Sequence, residues 1–277
     1  MKYCDLHCHS CYSDGTLTPA ELIRLAEKKG LGALALTDHN TANGLPEFMA
    51  AGRDSTVIPV PGCEFTTDHN GRELHIVGLF FEERYWPEIE DYVELAHIAK
   101  HNANLRLMAA LQQGGYDVHY EEAAALTDAV EFNRAHVARL LFAKGYVSSV
   151  TEAFQTILKE GAGYYTPPRR LPSIGTIRFI KQYGAVAVFA HPFLNMNEEE
   201  LLDFLPRAKE AGLDAMETRY TEYNAETTRK AEELAARFGL KQSGGSDFHG
   251  AAKPLIDLGT GWGGLKVPFS FYEDLKP

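Results

Sequence analysis

Two histidines alternate near the start of the chain in Asp5-Leu6-His7-Cys8-His9, and Ser246-Asp247-Phe248-His249 repeats the spacing with a carboxylate and an imidazole. On a strand, residues two apart share a face, so each pair projects its donors together. Between the pairs lie Asp14, Thr37-Asp38-His39, Glu64, His75 and Ala190-His191-Pro192. Imidazole and carboxylate are ligands for first-row divalent ions. Any one of these residues alone reads as a hydrogen-bonded surface group. Six of the 11 histidines fall at predicted strand ends together with three acids, and that coincidence points to a metal site. The candidate ligands are His7, His9, Asp14, His39, Glu64, His75, His191, Asp247 and His249. Asp38, beside His39, is expected outside the ligand set, orienting a ligand histidine; its alternative is a cap before Asn40-Thr41.

Cysteines run through the same segment. Cys4-x3-Cys8-x2-Cys11 matches the spacing of thiolates that hold an iron–sulfur cluster. Strand alternation turns Cys8 away from the face of His7 and His9, so these thiols read as buried or near-site groups. Four cysteines are too few for a disulfide framework.

The elements that must position the ligands alternate. Lys2–His9, Ala33–Thr37 and Val57–Pro61 read as strands, and Thr18-Pro19-Ala20-Glu21 reads as a helix start. Asp68-His69-Asn70-Gly71 is a hairpin turn with a return strand over Glu73–Phe81, because Asn-Gly tolerates positive φ. Helices are predicted over 89–113, 120–126, 134–144, 150–158 and 173–183, with hardly a strand among them. The strand-helix rhythm then resumes with strands at 185–190, 214–217 and 240–244 and helices at 198–211 and 225–238. Parallel βα units closed or nearly closed into a barrel follow from that rhythm, with the ligands at the C-terminal strand ends. The expected division is a barrel from 1–85 and 184–277, and a helical insertion over 86–183 covering the active site.

A chain of 277 residues suits one such barrel. The net charge of −11 argues against a general nucleic-acid coat but not against a small phosphorylated substrate, since bound cations would make the site itself positive. No 18-residue apolar run and no leader-like start are present, so no membrane partner and a cytoplasmic location are expected. Nor is an obligate protein partner evident.

Within the helical block, Asn133-Arg134-Ala135-His136 opens a helix where backbone N–H groups and a guanidinium could meet an anion. Gly163-Tyr164-Tyr165-Thr166-Pro167-Pro168-Arg169-Arg170 joins aromatic faces to two cations. Arg134, His136, Arg169 and Arg170 are candidate phosphate contacts, and Tyr165 could stack on a base or simply pack. The competing reading of the arginines is solvated surface charge.

His-x-His, Ser-Asp-Gly, Thr-Asp-His, a Gly-Cys-Glu turn, His-Ile-Val-Gly, Ala-His-Pro and Gly-Ser-Asp-Phe-His-Gly occur here in an order that resembles the PHP superfamily of metal-dependent phosphoesterases. The resemblance spans essentially the whole chain. It implies a distorted seven-stranded barrel with two or three divalent ions, Mn²⁺, Fe²⁺ or Zn²⁺. His7, His9, Glu64 and Asp247 would hold one ion, Glu64, His75 and His191 a second, and Asp14, His39 and His249 a third. A hydroxide held between ions would attack phosphorus, with Asp38, Glu64, His191 and Asp247 as the catalytic set.

The helical block resembles a subgroup that removes the 3′-phosphate of nucleoside 3′,5′-bisphosphates, with relatives that trim short oligonucleotides; that subgroup usually has Gly where this chain has Asn133. The expected partner is therefore a small phosphorylated substrate, a nucleotide before a short oligonucleotide, and histidinol phosphate ranks lower. An amidohydrolase-like hydrolase and a non-catalytic metal-binding module are the alternatives of other classes. The first commonly needs a strand-end lysine, and Glu64 fills its place here; the full ligand set argues against the second.

Overall fold

The computed structural model describes residues 2–127 and 131–277. In chain order the strands are β1 (Tyr3–Cys8), β2 (Ala33–Leu36), β3 (Ile58–His69), β4 (Arg72–Leu79), β5 (Leu171–Pro172), β6 (Val186–Phe189), β7 (Ala215–Tyr220), β8 (Lys241–Gly245) and β9 (Val267–Pro268). The helices are α1 (Pro19–Lys28), α2 (Leu45–Gly52), α3 (Trp86–Gln113), α4 (Tyr120–Ala124), α5 (Arg134–Ala143), α6 (Val150–Gln155), α7 (Ser173–Gln182), α8 (Pro192–Asn195), α9 (Glu198–Glu210), α10 (Ala225–Arg237) and α11 (Phe269–Leu275). Local chemistry explains several boundaries. Thr18 and Glu21 form a reciprocal capping box with Pro19 in the first turn of α1. Asn70 and Gly71, both at positive φ (54° and 80°), make the tight turn between β3 and β4.

The chain divides into two compact units, Met1–Val93 with Leu171–Pro277, and Glu94–Arg170. In the larger unit the sheet runs β8-β7-β6-β4-β3-β2-β1-β9, with β5 pairing β3 off that path. Seven strands have four residues or more, and the two-residue β5 and β9 add to the seven expected. The ladder bends round on itself. The Asp247 N–H donates to the His7 carbonyl at 2.9 Å, and the His9 N–H donates to the Phe248 carbonyl at 2.9 Å, so the chain just beyond β8 meets β1 and the barrel is nearly closed. Gly245 permits this approach, because a Cβ there would lie 2.3 Å from the His7 Cβ.

β1 carries an extra residue. Asp5 pairs with Leu34 and Cys8 with Leu36, three steps against two. The bulge leaves Cys4 and Leu6 in an apolar cluster with Ala33, Ala35, Val60, Val77, Val188 and Ala215, while His7 and His9 still reach one site. The thiols part accordingly: Cys8 Sγ donates to the Ala35 carbonyl and Cys4 Sγ to the Pro268 carbonyl. Cys4 and Cys8 therefore do not converge as cluster ligands.

Two expectations are corrected here. Gly62-Cys63-Glu64 lies inside the continuous twelve-residue β3 rather than in a turn. α7 packs on β3, β4 and β6 and belongs to the larger unit, so the helical unit is 94–170 rather than 86–183. Helical periodicity alone does not distinguish a helix covering a sheet from one in an insertion. The smaller unit has its own core of Leu107, Leu111, Phe132, Val137, Leu141 and Leu158. Among the described residues no helix is long and apolar enough to cross a membrane.

Candidate metal centre

Every ligand candidate comes from the larger unit, and the fold brings all nine together. β1 supplies His7, His9 follows it directly, and the turn beyond supplies Asp14. That turn is shaped by Asp38, which accepts hydrogen bonds from the Ser10 N–H at 2.7 Å and from the Ser10 and Ser13 hydroxyls at 2.6 Å each. His39 follows β2, Glu64 lies within β3 and His75 within β4, His191 follows β6, and Asp247 and His249 follow β8. Two ligands are thus inside a hairpin rather than at strand ends, because β4 runs antiparallel to both β3 and β6.

Glu64 is the hub. Its Oε2 lies 3.2 Å from His7 Nε2, 3.3 Å from His9 Nε2 and 3.0 Å from His39 Nδ1. Its Oε1 lies 2.9 Å from His75 Nδ1 and 3.2 Å from His191 Nε2. Asp247 Oδ1 is 3.2 Å from His9 Nε2, and Asp14 Oδ1 is 3.1 Å from His249 Nε2. His39 borders two groups, since its Nε2 turns toward Asp14 at 3.9 Å. Two donors held about 2.1 Å from one tetrahedral ion stand roughly 3.4 Å apart, close to these separations.

Donor atoms of three residue sets, His7/His9/Glu64, His39/Glu64/His75 and His9/Asp14/His39/His249, each lie within 4.8 Å of one another. His7 Nε2, His9 Nε2, His39 Nδ1, His75 Nδ1 and Glu64 Oε2 are buried without a hydrogen-bond partner. Such atoms are costly unless something else satisfies them. The donor set fits divalent ions.

Charge balance agrees. Burial pushes the Glu64 carboxyl up, but His7, His75 and His39 outweigh it and hold Glu64 well below the usual carboxylate range. Asp247, also opposed by burial, is held low by His249 and Lys253. Asp14 is held low against burial by His249 and His39. In the ion-free centre these carboxylates are thus held ionised by the imidazoles and the ammonium around them.

The residues hydrogen-bonded to the candidate ligands include several that the sequence reading passed over. The histidine-orienting role expected of Asp38 falls instead to Glu217, fully buried on β7. Its Oε1 accepts from His7 Nδ1 at 2.8 Å and its Oε2 accepts the His191 backbone N–H at 2.6 Å. A neutral His7 with its proton on Nδ1 presents a lone pair at Nε2 to the centre. The only signal for Glu217 was its place at the end of a predicted strand. Asp5 accepts from the Ser246 N–H and hydroxyl and from the Gly259 N–H, tying β1 to the segment that carries Asp247. Asp247 Oδ2 receives the Tyr220 hydroxyl at 2.9 Å and Lys253 Nζ at 2.7 Å. His191 and Asp247 hold positive φ (30° and 55°), strain of the kind found at functional sites.

The substrate candidates sit in the smaller unit. The Arg134 guanidinium stacks over the Tyr165 ring with its carbon 4.2 Å from the centroid. His136 Nδ1 accepts the Asn133 N–H, while Asn133 Oδ1 accepts from the Ala135 and His136 N–H groups. The N–H groups at the start of α5 are therefore engaged in a capping box, and His136 is one of its two side chains. Arg169 is exposed and Arg170 half-buried.

Residues 5–165 match the profile of the PHP domain. The chain belongs to the PHP-domain family. It is 33% identical over 249 residues to a 5′-3′ exoribonuclease of Haemophilus influenzae, covering 90% of each chain. It is 29% identical over 265 residues to a 3′,5′-nucleoside bisphosphate phosphatase of Chromobacterium violaceum, covering 94% of this chain and 91% of that one. A crystal structure from Bifidobacterium adolescentis, described as a metal-dependent phosphoesterase, superposes with a TM-score of 0.84 at 25% identity, over 99% of this chain and 95% of the other. This PHP protein is a metal-dependent hydrolase of phosphoric ester bonds.

Proposed function

We propose that this PHP phosphoesterase removes the 3′-phosphate of nucleoside 3′,5′-bisphosphates, using two or three divalent ions held by the nine ligand residues. The observation that carries the chemistry is Glu64, with imidazole donors gathered at both of its oxygens. The nucleotide reading draws on the likeness to the Chromobacterium violaceum phosphatase and on the Arg134–Tyr165 pair, a cation and a ring of the kinds that take a phosphate and a base. Arg134, His136, Arg169, Arg170 and Tyr165 are the proposed substrate contacts.

Bound Mn²⁺, Fe²⁺ or Zn²⁺ would polarise phosphate oxygens and make water nucleophilic near neutral pH. The chain's own residues supply the geometry. His7, His9, Glu64 and Asp247 would hold one ion, Glu64, His75 and His191 another, and Asp14, His39 and His249 a third. Glu217 keeps the His7 proton on Nδ1. Tyr220 and Lys253 occupy Asp247 Oδ2, so Oδ1 is the oxygen turned toward His7 and His9. Asp38 acts through the turn that carries Asp14.

Trimming of 5′-phosphorylated oligonucleotides is the second reading, favoured by the 33% identity to the exoribonuclease. Purified protein with Mn²⁺ is to be assayed on a nucleoside 3′,5′-bisphosphate, a short 5′-phosphorylated RNA and histidinol phosphate. Release of inorganic phosphate and nucleoside 5′-monophosphate from the first, with the highest kcat/KM, is expected. Mononucleotide release from RNA with a higher kcat/KM selects the second reading, and hydrolysis of histidinol phosphate alone defeats both.

A further inference from the structure

We infer that Lys253 is a substrate-binding residue whose ammonium takes a non-bridging oxygen of the phosphoryl group at the rim of the metal centre. The inference rests on phosphoester hydrolysis and not on the nucleotide as substrate.

Lys253 belongs to the same unit as the ligands and stands six residues after Asp247. Its Nζ donates to Asp247 Oδ2 at 2.7 Å, the carboxylate whose other oxygen faces His7 and His9. The Asp247 side chain is 7% exposed, whereas that of Lys253 is 41% exposed. One end of this ion pair is therefore inside the centre and the other opens to solvent. An ammonium has three N–H donors. A single bond to Asp247 leaves it two for an arriving anion, and Tyr220 already shares the Asp247 Oδ2 acceptor.

The backbone fixes this placement. The Ala251 N–H donates to Thr16 Oγ1 at 2.8 Å, and the Lys253 N–H donates to the Gly250 carbonyl at 3.2 Å. Gly250 has φ +63°, and a Cβ there would lie 2.2 Å from Thr16 Oγ1, so the turn that carries Lys253 is pinned to the loop that carries Asp14. Electrostatics favour a cation here. The ligand candidates are acids and imidazoles, so with ions bound there the Lys253 ammonium adds a protein-borne positive charge at the solvent side of the same centre. Lysine binds phosphate as a compact point charge without demanding the planar geometry of a guanidinium.

The experiment uses the metal-loaded protein with inorganic phosphate and p-nitrophenyl phosphate, so it is independent of which nucleotide is the substrate. Lys253→Met, Lys253→Arg and the parent are compared for bound metal by elemental analysis, phosphate affinity by calorimetry, and kcat and KM. Lys253→Met is expected to keep the parent's metal stoichiometry and to weaken phosphate binding roughly tenfold or more, the worth of a charge-assisted hydrogen bond. KM should rise with it, and Lys253→Arg should recover most of the phosphate affinity. Unchanged phosphate affinity in Lys253→Met overturns the inference. Loss of bound metal in that variant also overturns it, because Lys253 would then act only by holding Asp247.

Discussion

Glu217→Gln should weaken the proposed metal centre without altering any of its nine candidate ligands. The two carboxylate oxygens of Glu217 both accept, one from His7 Nδ1 at 2.8 Å and one from the His191 backbone N–H at 2.6 Å. Glutamine keeps the shape but has one acceptor and one NH₂. If its oxygen serves the obligate His191 donor, its NH₂ faces His7 Nδ1. Nδ1 must then accept, and the proton moves to Nε2, the atom 3.2 Å from Glu64 Oε2. A protonated Nε2 cannot ligate an ion. In the opposite orientation the NH₂ opposes the His191 N–H, and two buried donors confront each other. Either way the centre loses about one outer carboxylate, a change that typically weakens metal binding by 10–100-fold, or about 1.4–2.8 kcal/mol. Competition titrations with a chromophoric chelator would measure it, with circular dichroism confirming the fold. A metal affinity for Glu217→Gln within about twofold of the parent would refute the reasoning.

Further outcomes follow from the same structure. In the metal-free protein, stability depends on the ligand histidines. Against burial, Asp247 and Glu64 raise His9 to about 9, and Glu64 and Glu73 raise His75 to about 10, both above the ordinary 6.5. Their contribution is complete below pH 6.5 and lost as pH rises through 9 to 10. Burial lowers His39 to about 3, so its contribution is complete above pH 6.5 and lost as pH falls. Thermal scans of metal-free protein should therefore show a maximum Tm near pH 6.5 and a decline toward pH 10, whereas metal, which binds neutral imidazole, should flatten the alkaline limb; a metal-free Tm rising from pH 7 to 9 contradicts this. Gly245→Ala places a methyl 2.3 Å from the His7 Cβ and should destabilise by about 1–3 kcal/mol in urea unfolding. Burial raises the Cys4 thiol to about 12 and those of Cys8 and Cys63 well above their ordinary value. At pH 8 these three should react slowly with a thiol reagent in native protein and fast in urea, and rapid native labelling of Cys8 would show that its strand is open.

The candidate donors were legible in the sequence because metal binding needs particular side-chain types. The strand period expected of the two pairs is not what places them: His9 lies just past β1, and Asp247 and His249 lie beyond β8 with Asp247 at φ 55°. The barrel rhythm and the β3–β4 turn were also legible, being written in alternating apolar runs and in Asn70-Gly71. Glu217, Tyr220 and Lys253 were not, since an acid, a phenol and a lysine are ordinary residues until a fold sets them 2.8, 2.9 and 2.7 Å from their partners.

What the sequence determined by itself was therefore chemical identity: which donors exist and which family of folds can gather them. What the tertiary structure decided was how those donors share partners. The β1 bulge, the close approach at Gly245 and the pairing of β4 with β6 are long-range packing outcomes, and no local pattern encodes them. They place Glu64 between the histidine groups and Glu217 behind His7. They also turn Asp38, which stands next to a ligand in the chain, toward Ser10 and Ser13. Hydrogen-bond partnership is decided by distance in space, and adjacency along the chain is a weak guide to it.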